Sequence, residues 1–425
     1  MENDKLKPRM NTKNTYRILH TSDWHLGKML NEMPREEEHR LFLDWLLQQV
    51  IEHEVDAVLV AGDVFDTANP PQSAEALYFN FVAQLHSKTK ASLILVAGNH
   101  DSPSQLEAPR QALRALRTHV VGAAHLEPSA RLLPLPSAEA PRVVLAMLPF
   151  LRDRDIRQDK SGESAAEIRK ALTTGIQRIY DETAQAAKAA GHTCPIVATG
   201  HLTVTGATSS DSEREIHIGG LGSVEASIFP DIFSYVALGH LHRPQSVGKR
   251  DHIRYSGSPI LLSFSEANHD KELRLIEISE AEVIHRPIAI PFFRKLIQLE
   301  TSVDTLKADL KSIAGHPAGE LTTWVEVILS GSEGLSDPHE HVQSLAREIG
   351  AGGFEVLKVI RAQLSKSDGP TRLESEQESE LETLLDQPMK VFEHVLEQQT
   401  DLEDAQKEPL RLALSEVLDA LRTTN

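Results

Sequence analysis

The chain has 425 residues, 40% of them hydrophobic and 25% charged, with a formal net charge of −18; that length suits two or three domains rather than one. Cys194 is the single cysteine, which excludes an internal disulfide framework and a thiolate zinc site and fits a reducing compartment. No apolar run reaches membrane-spanning length and the polar start lacks a secretory signal, so a cytoplasmic location is expected.

Residues 1–15 read as a disordered extension, within which Met10 is a second candidate start. From Tyr16 onward, apolar, β-branched-rich runs recur, each ending in polar residues: 16–25, 56–66, 92–101, 143–150, 195–202 and 235–242. Continuous apolar runs this short predict buried strands. Helical spacing occupies residues 35–53, 73–88 and 104–117. Strands alternating with helices predict an α/β layered domain over 16–289, with functional residues at the carboxyl ends of its strands. Residues 290–364 change character. Strands at 322–331 and 354–363, with helices near 301–313 and 338–349, predict a small second α/β domain. Residues 365–387 read as a flexible acidic linker. Within 388–425, two amphipathic helices at 388–399 and 409–422 predict a helical hairpin with an apolar face. That face either folds back on the body or docks on a partner. Residues 365–425 carry a net −9, half of the whole excess, so net charge does not decide against nucleic acid as a partner.

Five of the strand-like runs end in Asp, Asn and His. These are Asp23-Trp24-His25; Gly62-Asp63 with Asp66; Gly98-Asn99-His100-Asp101; Gly200-His201; and Gly239-His240-Leu241-His242. Each alone is weak, because a buried histidine is more often a hydrogen-bonded core residue than a ligand. Together they offer oxygen and imidazole donors with no thiol, which points to a two-metal site. A carboxylate between two cations offsets their repulsion, and Asp63, at a central strand end, is the natural bridge. Neutral imidazoles and one amide fill the remaining positions without adding negative charge, so an anionic phosphate is able to approach. Asp66 and Asp101 are candidates to fix histidine tautomers from outside the ligand set, or are turn-forming aspartates. On an extended chain His240 and His242 project to the same side and share one target. In residues 150–160, Arg152, Arg154, Arg157 and Lys160 interleave with aspartates and read as phosphate contacts or as a solvated loop.

The five-motif series resembles that of the calcineurin-like metallophosphoesterases. The longer strings ILHTSDWHLGK (18–28), VAGDVFDTANPP (60–71), VAGNHDS (96–102), ALGHLHRPQ (237–245) and YSGSPILLSF (255–264) are similar to those of the SbcD nuclease subunits within that superfamily. The resemblance implies a metallophosphoesterase β-sandwich flanked by helices, an α/β capping domain at 290–364, and a C-terminal hairpin that binds SbcC, an SMC-like ATPase. It implies two Mn²⁺ ions, the first held by Asp23, His25, Asp63 and His242, the second by Asp63, Asn99, His201 and His240. His100 would be the catalytic non-ligand, stabilising the transition state or protonating the leaving oxygen. The helices near 73–88 and 104–117 would form a homodimer interface. The implied activity is exonuclease on double-stranded and endonuclease on single-stranded DNA, gated by the ATPase. The alternative is a small-molecule phosphomonoesterase or cyclic-nucleotide phosphodiesterase of the same superfamily, which needs neither cap nor hairpin. A non-catalytic scaffold would have lost metal positions, and none is missing.

Overall fold

The computed structural model describes residues 15–362, without 126, 157–164, 210–212, 214–222, 281, 315–319, 333 and 350–352. The predicted linker and hairpin, and residues 1–14, lie outside the described residues. The first half of the chain forms β1 (Tyr16–Thr21), β2 (Met29–Leu30), β3 (Met33–Pro34), α1 (Glu36–Glu52), β4 (Ala57–Ala61), α2 (Gln72–Lys88), β5 (Ser92–Val96), α3 (Pro103–Glu107), α4 (Arg110–Ala115), β6 (Thr118–Val121), β7 (Leu132–Leu135), β8 (Val143–Ala146), α5 (Asp153–Ile156), α6 (Ala165–Ala189) and β9 (Ile196–His201). The remainder forms β10 (Phe233–Gly239), β11 (Gln245–Val247), β12 (Arg250–Tyr255), β13 (Glu272–Ile278), β14 (Val283–Ala289), β15 (Leu296–Ser302), α7 (Leu306–Ala314), β16 (Thr323–Ser330), α8 (Pro338–Ile349) and β17 (Phe354–Arg361).

Strand alternation explains why the apolar runs have no polar face. In β4, Ala57 and Leu59 point the same way as Ile18 and Ile94, into a layer shared with Val143, Leu145, Val197 and Ala237 of a second sheet. Val58 and Val60 point the other way, under Phe42 and Leu46 of α1 and Phe81 and Leu85 of α2. The second sheet repeats the arrangement: Val144, Ala146, Ala198 and Leu238 pack on Leu172, Ile176 and Tyr180 of α6. Each fully buried large side chain contributes roughly 1.5–3 kcal/mol. The result is a β-sandwich with helices outside both sheets. One sheet has six strands in the order β14-β13-β1-β4-β5-β6, the other β11-β12-β10-β9-β8-β7. β1, β4 and β5 pair in parallel, as do β9 and β10, so their carboxyl ends line up at one rim of each sheet.

The predicted helix at 104–117 is two short helices, α3 and α4, separated at Pro109, which has no N–H to continue the first. The 25-residue α6 had no counterpart in the sequence reading.

β15, β16 and β17 form a separate three-stranded sheet, and α7 packs against α8. Leu296 and Trp324 of this sheet bury against Leu30, Leu261 and Phe264. Beside them lies a buried charge cluster. Glu38, in the first turn of α1, accepts hydrogen bonds from Arg35 and sits 3.2 Å from Arg294. Both guanidinium groups stand over the Trp324 ring, 5.5 and 3.9 Å from its centre. By compactness the chain divides into two units, Met1–Ile328 with Leu335–Ile360, and Leu329–Gly334 with Arg361–Asn425. The second consists almost wholly of residues outside the described range. Among the described residues no helix is long and apolar enough to cross a membrane.

Candidate metal centre

All five motifs meet at the aligned strand ends: Asp23 and His25 after β1, Asp63 after β4, Asn99 and His100 after β5, His201 closing β9, and His240 and His242 after β10. The turns are sharp. Asp23, His25, Asp63 and His240 have φ of 52°, 47°, 49° and 100°, conformations that cost a non-glycine residue of order 1–3 kcal/mol each. Hydrogen bonds hold them there. Asp23 N donates to Gly62 O and His25 N to Asp63 O, each at 3.0 Å, and His240 N donates to Asp23 Oδ1 at 2.8 Å. Two glycines allow the close approach. A Cβ on Gly98 would fall 2.1 Å from Asp63 Oδ1, and one on Gly239 would fall 2.0 Å from Ala61 O.

The rings of His240 and His242 turn to different neighbours. The strand ends at Gly239 and the positive φ of His240 breaks the two-residue alternation, so the extended-chain rule does not apply beyond it. The His240 ring packs edge-on against His201, with centroids 5.5 Å apart, and the His242 ring packs against His25 at 5.0 Å.

On one side, His25 Nε2 and His242 Nε2 are 3.1 Å apart. His25 Nδ1 lies 3.2 Å from Asp66 Oδ1, though off the line of a good hydrogen bond, and His242 Nδ1 lies 3.6 Å from Glu266 Oε1. Burial pushes the pKa of both rings down. Two neutral rings whose Nδ1 atoms face acids turn their Nε2 lone pairs toward each other. Two nitrogens bound to one ion at about 2.1 Å stand roughly 3.0 to 3.4 Å apart, from right-angle to tetrahedral coordination, so this spacing fits a shared cation. Asp23 completes a group of three with these histidines.

On the other side, His201 Nδ1 donates to Ala61 O at 2.9 Å, so the neutral ring carries its lone pair on Nε2. That nitrogen is 2.9 Å from Asn99 Oδ1 and 3.2 Å from Asp63 Oδ2. Three lone-pair atoms converge, and either a proton or a metal ion must stand among them. Without metal it is a proton: burial lowers the His201 pKa, but Asp63 and Asp23 raise it to about 9. Burial acts to raise the Asp63 pKa, yet His201 holds it well below the usual carboxylate range. Asp23, buried and close to Asp63, is pushed up to about 7. Asp63 groups with Asp23 and His201, and separately with His25 and His100, while Asp23 belongs to the groups on both sides. Asp63 Oδ2 is also 3.7 Å from His25 Nε2, and its Oδ1 accepts from His100 N at 2.9 Å. The donor set, oxygen and imidazole with no thiol, fits divalent cations.

His100 lies beside this centre, its ring perpendicular to that of His25 with centroids 4.7 Å apart. Its Nδ1 donates to Asp66 O at 2.6 Å. Asp66 also faces Lys28 at 3.3 Å; burial would raise its pKa, but His25 and Lys28 bring it to about 2. Asp101 is held by main-chain donors. It accepts from the backbone N–H groups of Val64, Phe65 and Gly98 at 3.2, 3.0 and 2.8 Å, tying the second and third motif loops together. Of the basic run, Arg152 donates to Asp101 O at 3.2 Å and Arg154 falls in α5; Arg157 and Lys160 lie outside the described residues.

The family model for calcineurin-like phosphoesterases matches residues 16–244, which includes every motif described above. A second model, described as the type 5 capsule protein repressor C-terminal domain, matches residues 292–400. The SbcD protein of the nuclease SbcCD from Escherichia coli K12 is 39% identical over 359 residues, covering 81% of this chain and 85% of that protein. The SbcD proteins of Rhodobacter capsulatus and Bacillus subtilis are 39% and 36% identical, covering 70% and 63% of this chain and 76% and 67% of their own lengths. The chain belongs to the SbcD family of calcineurin-like phosphoesterases. In this phosphoesterase the sequence reading missed the residues that brace the motif loops. Ser22 Oγ donates to Asp23 Oδ2 at 2.5 Å and lies 2.8 Å from Ser256 Oγ. Glu213, Ser258, Glu266 and Lys271 surround His242. The string YSGSPILLSF held the serines and ends two residues before Glu266, so the signal was a position next to a motif, not a motif.

Proposed function

We propose that this phosphoesterase is the DNA-cleaving component of an SbcCD-type complex, hydrolysing phosphodiesters at two Mn²⁺ ions in the cytoplasm. The first ion is assigned to Asp23, His25, Asp63 and His242, the second to Asp63, Asn99, His201 and His240. Identity to the SbcD proteins over most of the chain carries the reading. The convergent donors, with no thiol among them, support the metals, and oxygen and imidazole ligands suit Mn²⁺. Bound there, the two cations would polarise the phosphate and lower the pKa of a water. The protein supplies the rest. Asp66 O anchors the His100 ring through Nδ1, so His100 Nε2 is the atom assigned to the phosphate, where it stabilises charge or protonates the leaving oxygen. The Asp66 carboxylate, 3.2 Å from His25 Nδ1, keeps negative charge behind that ring. Residues 290–364 act as the cap that limits which DNA enters, 365–387 is the linker, and 388–425 is the hairpin that binds SbcC. A homodimer forms through α2 and the α3–α4 pair; Phe79, 44% exposed on the face of α2 away from the sheet, supports this.

The test is purified protein with Mn²⁺, with and without its ATPase partner and ATP, on labelled linear duplex, single-stranded DNA and p-nitrophenyl phosphate. DNA cleavage is expected, and His100→Ala should reduce it at least 100-fold. Turnover of the phosphomonoester with DNA left intact under all conditions would favour the small-molecule phosphatase and overturn the nuclease reading.

A further inference from the structure

We infer that the buried pair Glu266–Lys271 is a positioning device for His242. It rests on the reading of His242 as a metal ligand. β10 ends at Gly239, so His242 stands in a loop with no strand ladder to fix it. Its main chain is held instead by three groups: His242 N donates to Glu213 Oε1 at 2.6 Å, and His242 O accepts from Ser258 N and from Lys271 Nζ, both at 3.1 Å. Lys271 makes two further contacts, to Ser258 Oγ at 2.7 Å and Glu266 Oε2 at 2.6 Å. An ammonium group has three protons, and here each has an acceptor.

Lys271 is 2% and Glu266 0% exposed. A buried ion pair is a poor source of stability, since apolar residues of the same volume do as well or better. The arrangement of this pair points to another use. Glu266 Oε2 takes Lys271 and the backbone N–H of Leu262, at 3.2 Å, while Oε1 faces His242 Nδ1 at 3.6 Å. Glu213 Oε1, the other acid near that nitrogen, is 3.9 Å from it and already engaged by the main-chain N–H. Lys271 therefore fixes both the carbonyl of His242 and the carboxylate that faces its ring. With Nδ1 turned to Glu266, Nε2 turns to His25 Nε2. A carboxylate behind a ligating histidine sets its tautomer and raises its basicity, and losing such a partner commonly costs 10–100-fold in metal affinity. The pair is thus assigned to the first ion and not to the second.

The test counts and titrates Mn²⁺ on the full-length protein by electron paramagnetic resonance, with circular dichroism and thermal unfolding in EDTA to check the fold. Wild type should bind two ions. Glu266→Gln keeps the shape and an acceptor oxygen but removes the charge; it should bind one ion as wild type does and the other 10–100-fold more weakly. Lys271→Met should weaken the same ion, and Lys271→Arg should restore it in part. If Glu266→Gln does not fold, the double exchange with Lys271→Met removes both charges and carries the same expectation. Folded Glu266→Gln with wild-type affinity for both ions overturns the assignment, as does equal weakening of both. Fewer than two ions on wild type would instead overturn the two-metal reading on which it rests.

Discussion

Gly98 sits where the third motif loop crosses Asp63, with no room for a single added carbon. Gly98→Ala must push either the Asp63 carboxylate or its backbone, and Asp63 stands in two of the three donor groups. DNA cleavage is expected to fall at least 100-fold while the far-ultraviolet circular dichroism stays that of wild type; full activity would mean that the loop gives way without moving Asp63. A second residue-scale prediction concerns His20, which lies inside the sandwich rather than at its rim. Its Nε2 donates to Leu238 O at 3.2 Å and its Nδ1 takes the Tyr235 hydroxyl proton at 3.1 Å. Burial lowers its pKa to about 3. The unfolded chain protonates this histidine below about 6.5 and the folded chain does not, so stability is unaffected above that pH and declines as pH falls from about 6.5 toward 3. At pH 4.5 the penalty is about 2–3 kcal/mol. His20→Gln should flatten the decline of Tm between pH 6.5 and 4.5, and an unchanged slope would show that other groups govern it. At this scale the sequence made the proposed ligands legible, because strand ends and chemistry-bearing residue types coincide. Ring directions were not legible. They depend on the left-handed turns at Asp23, His25, Asp63 and His240, which local pattern does not reveal for non-glycine residues.

The first turn of α1 joins two parts of the structure. Its apolar stripe, Phe42, Leu46 and Val50, lies on the first sheet. Its start carries Glu38, whose carboxylate contacts the guanidinium groups of both Arg35 and Arg294. Glu38→Ala leaves two buried cations without an acid and should cost about 3–5 kcal/mol in urea unfolding. Arg294→Met removes one of those cations and keeps an apolar cover on Trp324, so it should cost much less. Equal losses in the two variants would mean that packing, not charge, holds this cluster. The periodicity of α1 and α2 was readable because each has one apolar face. α6 went unread although Leu172, Ile176 and Tyr180 are spaced for a helix. Thr173, Thr174 and Gly175 in its middle are weak helix formers, and packing on the second sheet is what decides. Glu38 was unreadable for a different reason, since an acid at a helix start is ordinarily a solvated one.

For the whole molecule, alternating strands and helices made the α/β class legible, but the runs do not say which sheet each joins. The central strands of both sheets, β1, β4 and β5 in one and β8, β9 and β10 in the other, are buried on two faces and look alike in sequence. The acidic tail belongs to this scale too. Deleting residues 381–425 should abolish co-purification with the SMC-like ATPase and leave Mn²⁺ binding unchanged; undiminished co-purification would show that this stretch is not what the partner binds. The pairing of the sheets has a consequence for synthesis. β1 lies between β4 and β13, with Tyr16 opposite Ile278. Contacts that distant in sequence form late and slowly. Until the ribosome has passed Ile278, the strand that leads to Asp23 is a bare edge, open to pairing with another nascent chain. Messages truncated before Glu272 should therefore yield aggregates and not a smaller working enzyme.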